Sequence, residues 1–432
     1  MRKIFIELFL LLILSSLIIF FQFNEIPKKL SWDEVEFSRL ALSLENKPYL
    51  PYSRLATGHS TLYFYAILAS FQIFGVTNFA LRFPAALFGI MNVLIFYTIT
   101  KRVFSQVNYF KKAFFFKKIP IIGESVSSFI PFSLSLIFIS SRWYFNFARF
   151  SFEATFLLFL ELMAILFLIV WFKKQRLLYL IFVSFFSGLA FLSYTPGRIF
   201  FLVPLVFIIL YSYRNLLLKN VFVFFLLFLV TASPLVFYLS TNKDTRIEEQ
   251  LFLVDKKLNV QNKIDYFVVN SIKISGMFNL YGDLNGRHNY PGKPILNPII
   301  GAFFLLGILV AILNVRKSFN QLFLLYFIVS ITPALFTYPA ENPNSLRTFT
   351  AIIPTVFFVG NGVAYLLQLE AKSKILFIGL TSFLITFFAL AMVYDLRTYF
   401  LYQKEVFKKA FELNGSIMRI MNLKLWEKNQ SL

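Results

Sequence analysis

The chain contains no cysteine, which excludes disulfides, thiolate zinc centres and cysteine nucleophiles. Histidine is almost as scarce, with His59 and His288 the only two, and they stand in no metal-ligand spacing. Acidic residues number 21 against 42 lysines and arginines, leaving a formal charge of +21. There is no glycine-rich nucleotide loop, no internal repeat and no low-complexity tract. The opening run MRKIFIELFLLLILSSLIIFFQF lacks a small-residue cleavage site, and its apolar core is too long for a signal peptide. It reads as a retained first span.

Apolar side chains fill the space these absences leave. Hydrophobic residues make up 58% of the 432 positions, phenylalanine alone supplies 60, and the mean hydropathy is +0.71. A soluble domain cannot hide that much apolar surface, whereas lipid can solvate it. Segments of about 20 apolar residues are needed to cross a bilayer. Eleven approach that length: 4–23, 79–99, 119–140, 155–172, 177–193, 199–213, 220–239, 296–314, 319–336, 350–368 and 374–394. The expected class is an all-α polytopic membrane protein.

The basic residues fall in short clusters between these spans, which argues against nucleic acid and for membrane topology and anionic headgroups. Arg2 and Lys3 precede the first span. Lys101, Arg102, Lys111, Lys112, Lys117 and Lys118 follow the second; Lys173, Lys174 and Arg176 the fourth; Arg214 and Lys219 the sixth; Arg316 and Lys317 the eighth; Lys372 and Lys374 the tenth. All fall on one side if the N terminus is cytoplasmic. STLYFYAILASFQIFG at 60–75 is short for a span, and crossing would put the Lys-rich 101–118 loop outside, so it reads as an interfacial or partly re-entrant helix in the first external loop. Trp32, Trp143 and Trp171 stand at span ends, as in an aromatic belt. Residues 1–394 thus form the bundle, with external loops 24–78, 141–154, 241–295 and 337–349. The tail 395–432 is external by count, although it is basic.

Residues of both charge signs gather only on the external side, where a site needs convergent acids, bases and donors. Asp33 and Glu34 sit at the membrane surface after the first span. Adjacent carboxylates there repel, so one is a candidate base; equally, Ser31 and Asp33 suit a helix N-cap. Arg149 and Glu153 are four apart in ARFSFEA and suit mutual pairing. Arg198 follows a Pro-Gly turn, with snorkelling as its plain alternative. NLYGDLNGRHNYPG at 279–292 sets Asp283, Arg287, His288 and Asn289 among glycines that let backbone approach an anion. Glu341 and Arg347 lie in ENPNSLRT, a turn-and-cap sequence as well as a candidate site. His59 and His288 are weak candidates for a divalent metal; their reading as hydrogen-bond donors is preferred.

These segments, in order and in position relative to the spans, resemble the bacterial relatives of the protein O-mannosyltransferases. That is glycosyltransferase family 39 of the GT-C superfamily, which also holds the lipid A aminoarabinose transferase. The resemblance rests on Asp33-Glu34 after the first span, HSTLYFYAILASFQIFG, ALRFPAALFGI, ARFSFEA, SYTPGRIF, GRHNYPG and NPNSLRT, over about nine-tenths of the chain. His59-Ser60-Thr61 departs from the family's usual Lys/Tyr-Pro-Pro run.

It implies a GT-C-type bundle that transfers a sugar from a polyprenyl-phosphate donor to a lipid, protein or glycan acceptor on the outer face. Asp33 would be the base with Glu34 beside it and Glu153 the second acid. Arg149, Arg198, Arg287, His288 and Arg347 would be candidates to hold the lipid phosphate. A lipid-linked-sugar flippase and a non-catalytic scaffold remain the alternatives. A flippase needs charged or broken-helix sites near mid-membrane, where Glu161 is the main candidate.

Overall fold

Backbone in lipid must satisfy its own hydrogen bonds, and this chain does so as helix. The structure is a computed structural model that describes residues 2–104, 123–213, 215–369 and 374–422. Lys111, Lys112, Lys117, Lys118, Arg214, Lys372 and positions 119–122 of the third predicted span lie outside those residues, as does the end of the tail with its lysines 424 and 428.

The first helices are α1 (Arg2–Phe20), α2 (Trp32–Ser43), α3 (Leu62–Phe74), α4 (Asn78–Phe104), α5 (Gly123–Ser140) and α6 (Arg142–Phe147). Next come α7 (Ala154–Lys174), α8 (Leu177–Phe191), α9 (Leu202–Tyr211), α10 (Leu217–Thr241), α11 (Thr245–Gln250) and α12 (Val260–Met277). The chain continues with α13 (Pro298–Leu313), α14 (Ser318–Leu335), α15 (Ile352–Leu369), α16 (Lys374–Arg397) and α17 (Lys404–Ala410). Two short strands, β1 (Tyr52–Ser53) and β2 (His59–Ser60), pair antiparallel between α2 and α3.

Each predicted span coincides with an apolar helix. Among the described residues, seven helices are long and apolar enough to cross a membrane, and they include α1, α4, α7, α10 and α14. The predicted spans at α5, α8, α9 and α13 are shorter apolar helices. The sixth is also broken: Pro196 and Gly197 lie in a 3-10 turn, Thr195–Ile199, ahead of the ten-residue α9. Helix α3, at 13 residues, is about 20 Å long against a hydrocarbon core of about 30 Å. It does not cross. Trp32 is exposed, but Trp143 and Trp171 are wholly buried and form no lipid-facing belt.

Packing is closest where glycine lets backbones touch. A Cβ on Gly307 of α13 would sit 1.6 Å from the Phe358 carbonyl oxygen of α15, and one on Gly362 would sit 2.7 Å from the Phe303 carbonyl. Small residues at such crossings replace the hydrophobic drive that lipid cannot supply.

The bundle has two chemically distinct ends. At one, Tyr97 donates to Glu7, Lys101 lies 3.5 Å from the same carboxylate, and Lys173 donates to the Arg102 carbonyl. At the other, the loops after α1, α5, α8, α10, α12 and α14 converge. The described part of the tail packs at this second end too: Leu30 bridges Leu413, and Asn78 bonds the backbone of Gly415 and Ile417.

Candidate active site

Two buried arginines set the entry to this end. The last carbonyls of a helix have no intrahelical donor, and Arg149 supplies one, donating to the carbonyls of Ile18, Ile19, Gln22 and Ile26 and to the Tyr399 hydroxyl. Arg82 donates to both oxygens of Glu34, at 2.7 and 3.0 Å, and to the carbonyls of Pro27 and Lys29. Glu34 closes a capping box with Ser31 at the head of α2 and accepts from the Ser151 amide. Both Arg149 and Glu34 are therefore fully buried and turned from the pocket. Together they fix the turn that presents Asp33.

The pocket is a cavity of about 260 Å³, with Asp33, Glu36, His59, Tyr194, Arg246, Gln250, Arg287, His288, Asn344 and Arg347 in its walls. Arg287 forms an ion pair with Asp33 across it. The Gly-rich loop that carries Arg287 is tied down by Asp283. This carboxylate accepts from the Asn285 amide (2.8 Å), His288 Nδ1 (3.1 Å), and the amide and hydroxyl of Ser345 (2.9 and 3.0 Å). Burial would raise the Asp283 carboxyl, but these donors outweigh it and hold it below the usual range. Asn146 adds bonds to the carbonyls of Arg287 and His288.

On the opposite wall Glu153 Oε1 lies 2.5 Å from His59 Nδ1, and Arg246 Nη1 lies 2.7 Å from both ring nitrogens. Burial, and then the Arg246 charge, push the His59 imidazole below its ordinary value despite Glu153. Burial would raise Glu153, but His59 and Arg246 hold it down. Arg198 pairs with Asp244, which caps α11 through the amides of Arg246 and Ile247. Arg347 pairs with Glu341, and its buried Nη1 has no hydrogen-bond partner among the described residues.

Of the residues singled out in the sequence, Asp33, Arg287, His288, Arg347 and His59 thus meet in one cavity. Glu153 and Arg198 stand behind it, each holding a wall residue or its helix. Glu34 and Arg149 brace the approach. Sequence reasoning missed Arg246, Tyr194, Glu36 and Gln250; for Arg246 the only signal is Asp244, a good N-cap before a short polar helix. Three guanidiniums and two carboxylates line the space, which suits an anionic ligand that also carries hydroxyls. The donors do not fit a divalent metal. Among the described residues no three His, Asp or Glu side chains gather, and Arg246 sits against the ring nitrogens of His59.

The fold is shared with solved structures of low sequence identity. ArnT from Cupriavidus metallidurans in the apo state superposes with a TM-score of 0.51 at 12% identity, over 93% of this chain and 76% of that one. The apo oligosaccharyltransferase of Archaeoglobus fulgidus gives 0.55 at 14% identity, over 95% of this chain and 56% of that one. The archaeal oligosaccharyltransferase AglB from that organism, in complex with an inhibitory peptide and a dolichol-phosphate, gives 0.54 at 12% identity, over 96% and 56%. This chain therefore spans little more than half the length of the archaeal enzyme. The sequence matches no protein-family model and no curated protein.

Proposed function

We propose that the protein is a glycosyltransferase that moves a sugar from a polyprenyl-phosphate donor to an acceptor hydroxyl on the non-cytoplasmic face, with inversion. The observation that carries this reading is the Asp33–Arg287 pair in a cavity that also holds Arg246 and Arg347. It pairs a candidate base with a charge complement for phosphate. The GT-C fold and the dolichol-phosphate bound by AglB support the lipid-linked donor.

In this scheme Asp33 takes the proton of the acceptor hydroxyl. The acceptor oxygen bonds to the anomeric carbon as the carbon–oxygen bond to phosphate breaks, and the electron pair leaves on the lipid phosphate. Arg246 and Arg347 neutralise that growing charge, as fixed donors in a partly dry site do best. Arg287 orients Asp33, and His288 offers a further donor. The prenyl chain lies in lipid along the apolar helices. Opposing a flippase reading, Glu161, the main charged group within a span, is engaged by the Tyr326 hydroxyl at 2.6 Å.

Purified protein incubated with a panel of labelled polyprenyl-phosphate sugars, with and without chelator, tests the proposal. Wild type is expected to consume one donor and Asp33→Asn to bind it without transfer. Unchanged transfer by the folded variant removes Asp33 as base. Consumption of no donor by wild type removes the transferase reading.

A further inference from the structure

Helix α12 carries an apolar face that no described residue covers. At about 100° per residue its side chains fall into three arcs. Asn270, Ile274 and Met277 are wholly buried against the rest of the bundle. A second arc is mainly polar, with Asn262, Asp265 and Lys273 beside a single Val269. The third, about 140° wide by the same spacing, holds Val260, Ile264, Phe267, Val268 and Ile272, exposed at 74, 51, 39, 50 and 61%. Gln261, Ser271 and Ser275 are the polar residues within it. A helix with one side to protein, one to water and one to an apolar phase is built for an interface.

The apolar arc continues the surface that α14 turns to lipid, where Ile328 is exposed. Asn270 donates to the carbonyls of Leu335 and Thr337 at the end of α14, at 2.9 and 2.7 Å, and the Phe267 ring lies 5.6 Å from Phe336. Just ahead of α12, Leu253 and Val254 are exposed as well. The exposed Lys256 and Lys257 follow them, a charge that suits anionic headgroups. Behind α12, exposed Leu280 and Leu284 carry apolar surface into the Gly-rich loop.

We propose that α12 is a membrane anchor: its 260–272 face beds in the anionic leaflet at the pocket end and holds Arg287 and Arg347 at headgroup depth. The helix runs directly into the loop that carries Arg287. Lys273 donates to the Pro339 carbonyl at 2.7 Å, close to the Glu341–Arg347 pair. The membrane contact stands on the helix alone, whereas the use of that depth rests on the polyprenyl-phosphate reading above.

The test uses the full-length protein, one copy per nanodisc of phosphatidylcholine and phosphatidylglycerol, with thermal unfolding as the control for fold. With no native cysteine, Ile264→Cys, Ile272→Cys and Asn262→Cys each carry one spin label. Labels at 264 and 272 are expected to collide with oxygen, which concentrates in lipid, several-fold more than with a water-soluble nickel chelate, relative to the label at 262. Preference for the chelate at 264 and 272 overturns the anchor. Exclusion of both relaxants there overturns it too, since the face is then covered by protein. A folded Ile264→Glu/Ile272→Glu variant is expected to bind undecaprenyl phosphate several-fold more weakly than wild type. Unchanged binding removes the link from anchor to pocket. Wild-type protein that binds no undecaprenyl phosphate sinks the polyprenyl-phosphate reading, while the label depths still decide the anchor.

Discussion

Arg287 and Asp33, 254 positions apart in sequence, close on each other across the pocket in an ion pair whose side chains stay partly exposed, at 24% and 42%. Glu34, one residue further on, is wholly buried against Arg82. Neighbours on a helix point about 100° apart, so one carboxylate of the Asp-Glu pair faces the cavity and the other braces the fold.

Asp33→Asn is accordingly expected to lower kcat by roughly 10²–10⁴, the usual worth of a positioned base. Its melting temperature should stay near wild type, because the site is half-open and no buried charge is left behind. Parallel kinetics and thermal unfolding of the same preparation check both halves.

Arg82→Met should do the reverse. It strands the Glu34 carboxylate in a dry site, a change that costs about 3–5 kcal/mol where a buried pair is broken from one side. The expected readout is a large drop in melting temperature, partly recovered in the Arg82→Met/Glu34→Gln double variant. No recovery in the double variant would show that Glu34 is not the partner.

Arg347→Met should raise KM for the lipid-linked donor about tenfold or more, with Arg347→Lys intermediate, since lysine keeps the charge without the planar fork. Its pairing with Glu341 at the pocket rim makes a small stability effect the expected companion.

The pH dependence of stability follows from His59. Its folded value lies below the ordinary 6.5, so the unfolded chain binds the proton first as pH falls. Stability from this group is complete above 6.5 and declines as pH drops from there toward the folded value. Glu153 and Asp283, held below 4.5 and 3.8, stay ionised in the folded state and add only a small loss of the same sign near pH 5; most of their contribution fades at lower pH. Melting temperatures from pH 7 to 5 should therefore fall in wild type and fall less in His59→Gln.

The helices were legible in the sequence because lipid leaves so few alternatives: apolar runs locate an apolar helix at each predicted span, seven helices among the described residues being long enough to cross. The gathering of polar segments at one end was legible for the same reason. Pairing was not. Arg149 and Glu153 suit an i, i+4 bond only on a helix, and residues 149–153 form a bend between α6 and α7. Arg149 is therefore free to cap α1, and Glu153 meets His59. Arg246 was overlooked because its segment is polar and short, and its place in the wall depends on Asp244 being held by Arg198 and Tyr52. Neither contact has a signature in local sequence.

The absence of native cysteine makes one measurement especially direct. Asp33→Cys and Arg347→Cys, each the sole thiol, can be labelled in intact cells with a membrane-impermeant maleimide. Both are expected to react from outside without permeabilisation. Labelling of either one only after the membrane is opened would contradict a shared outward-facing pocket.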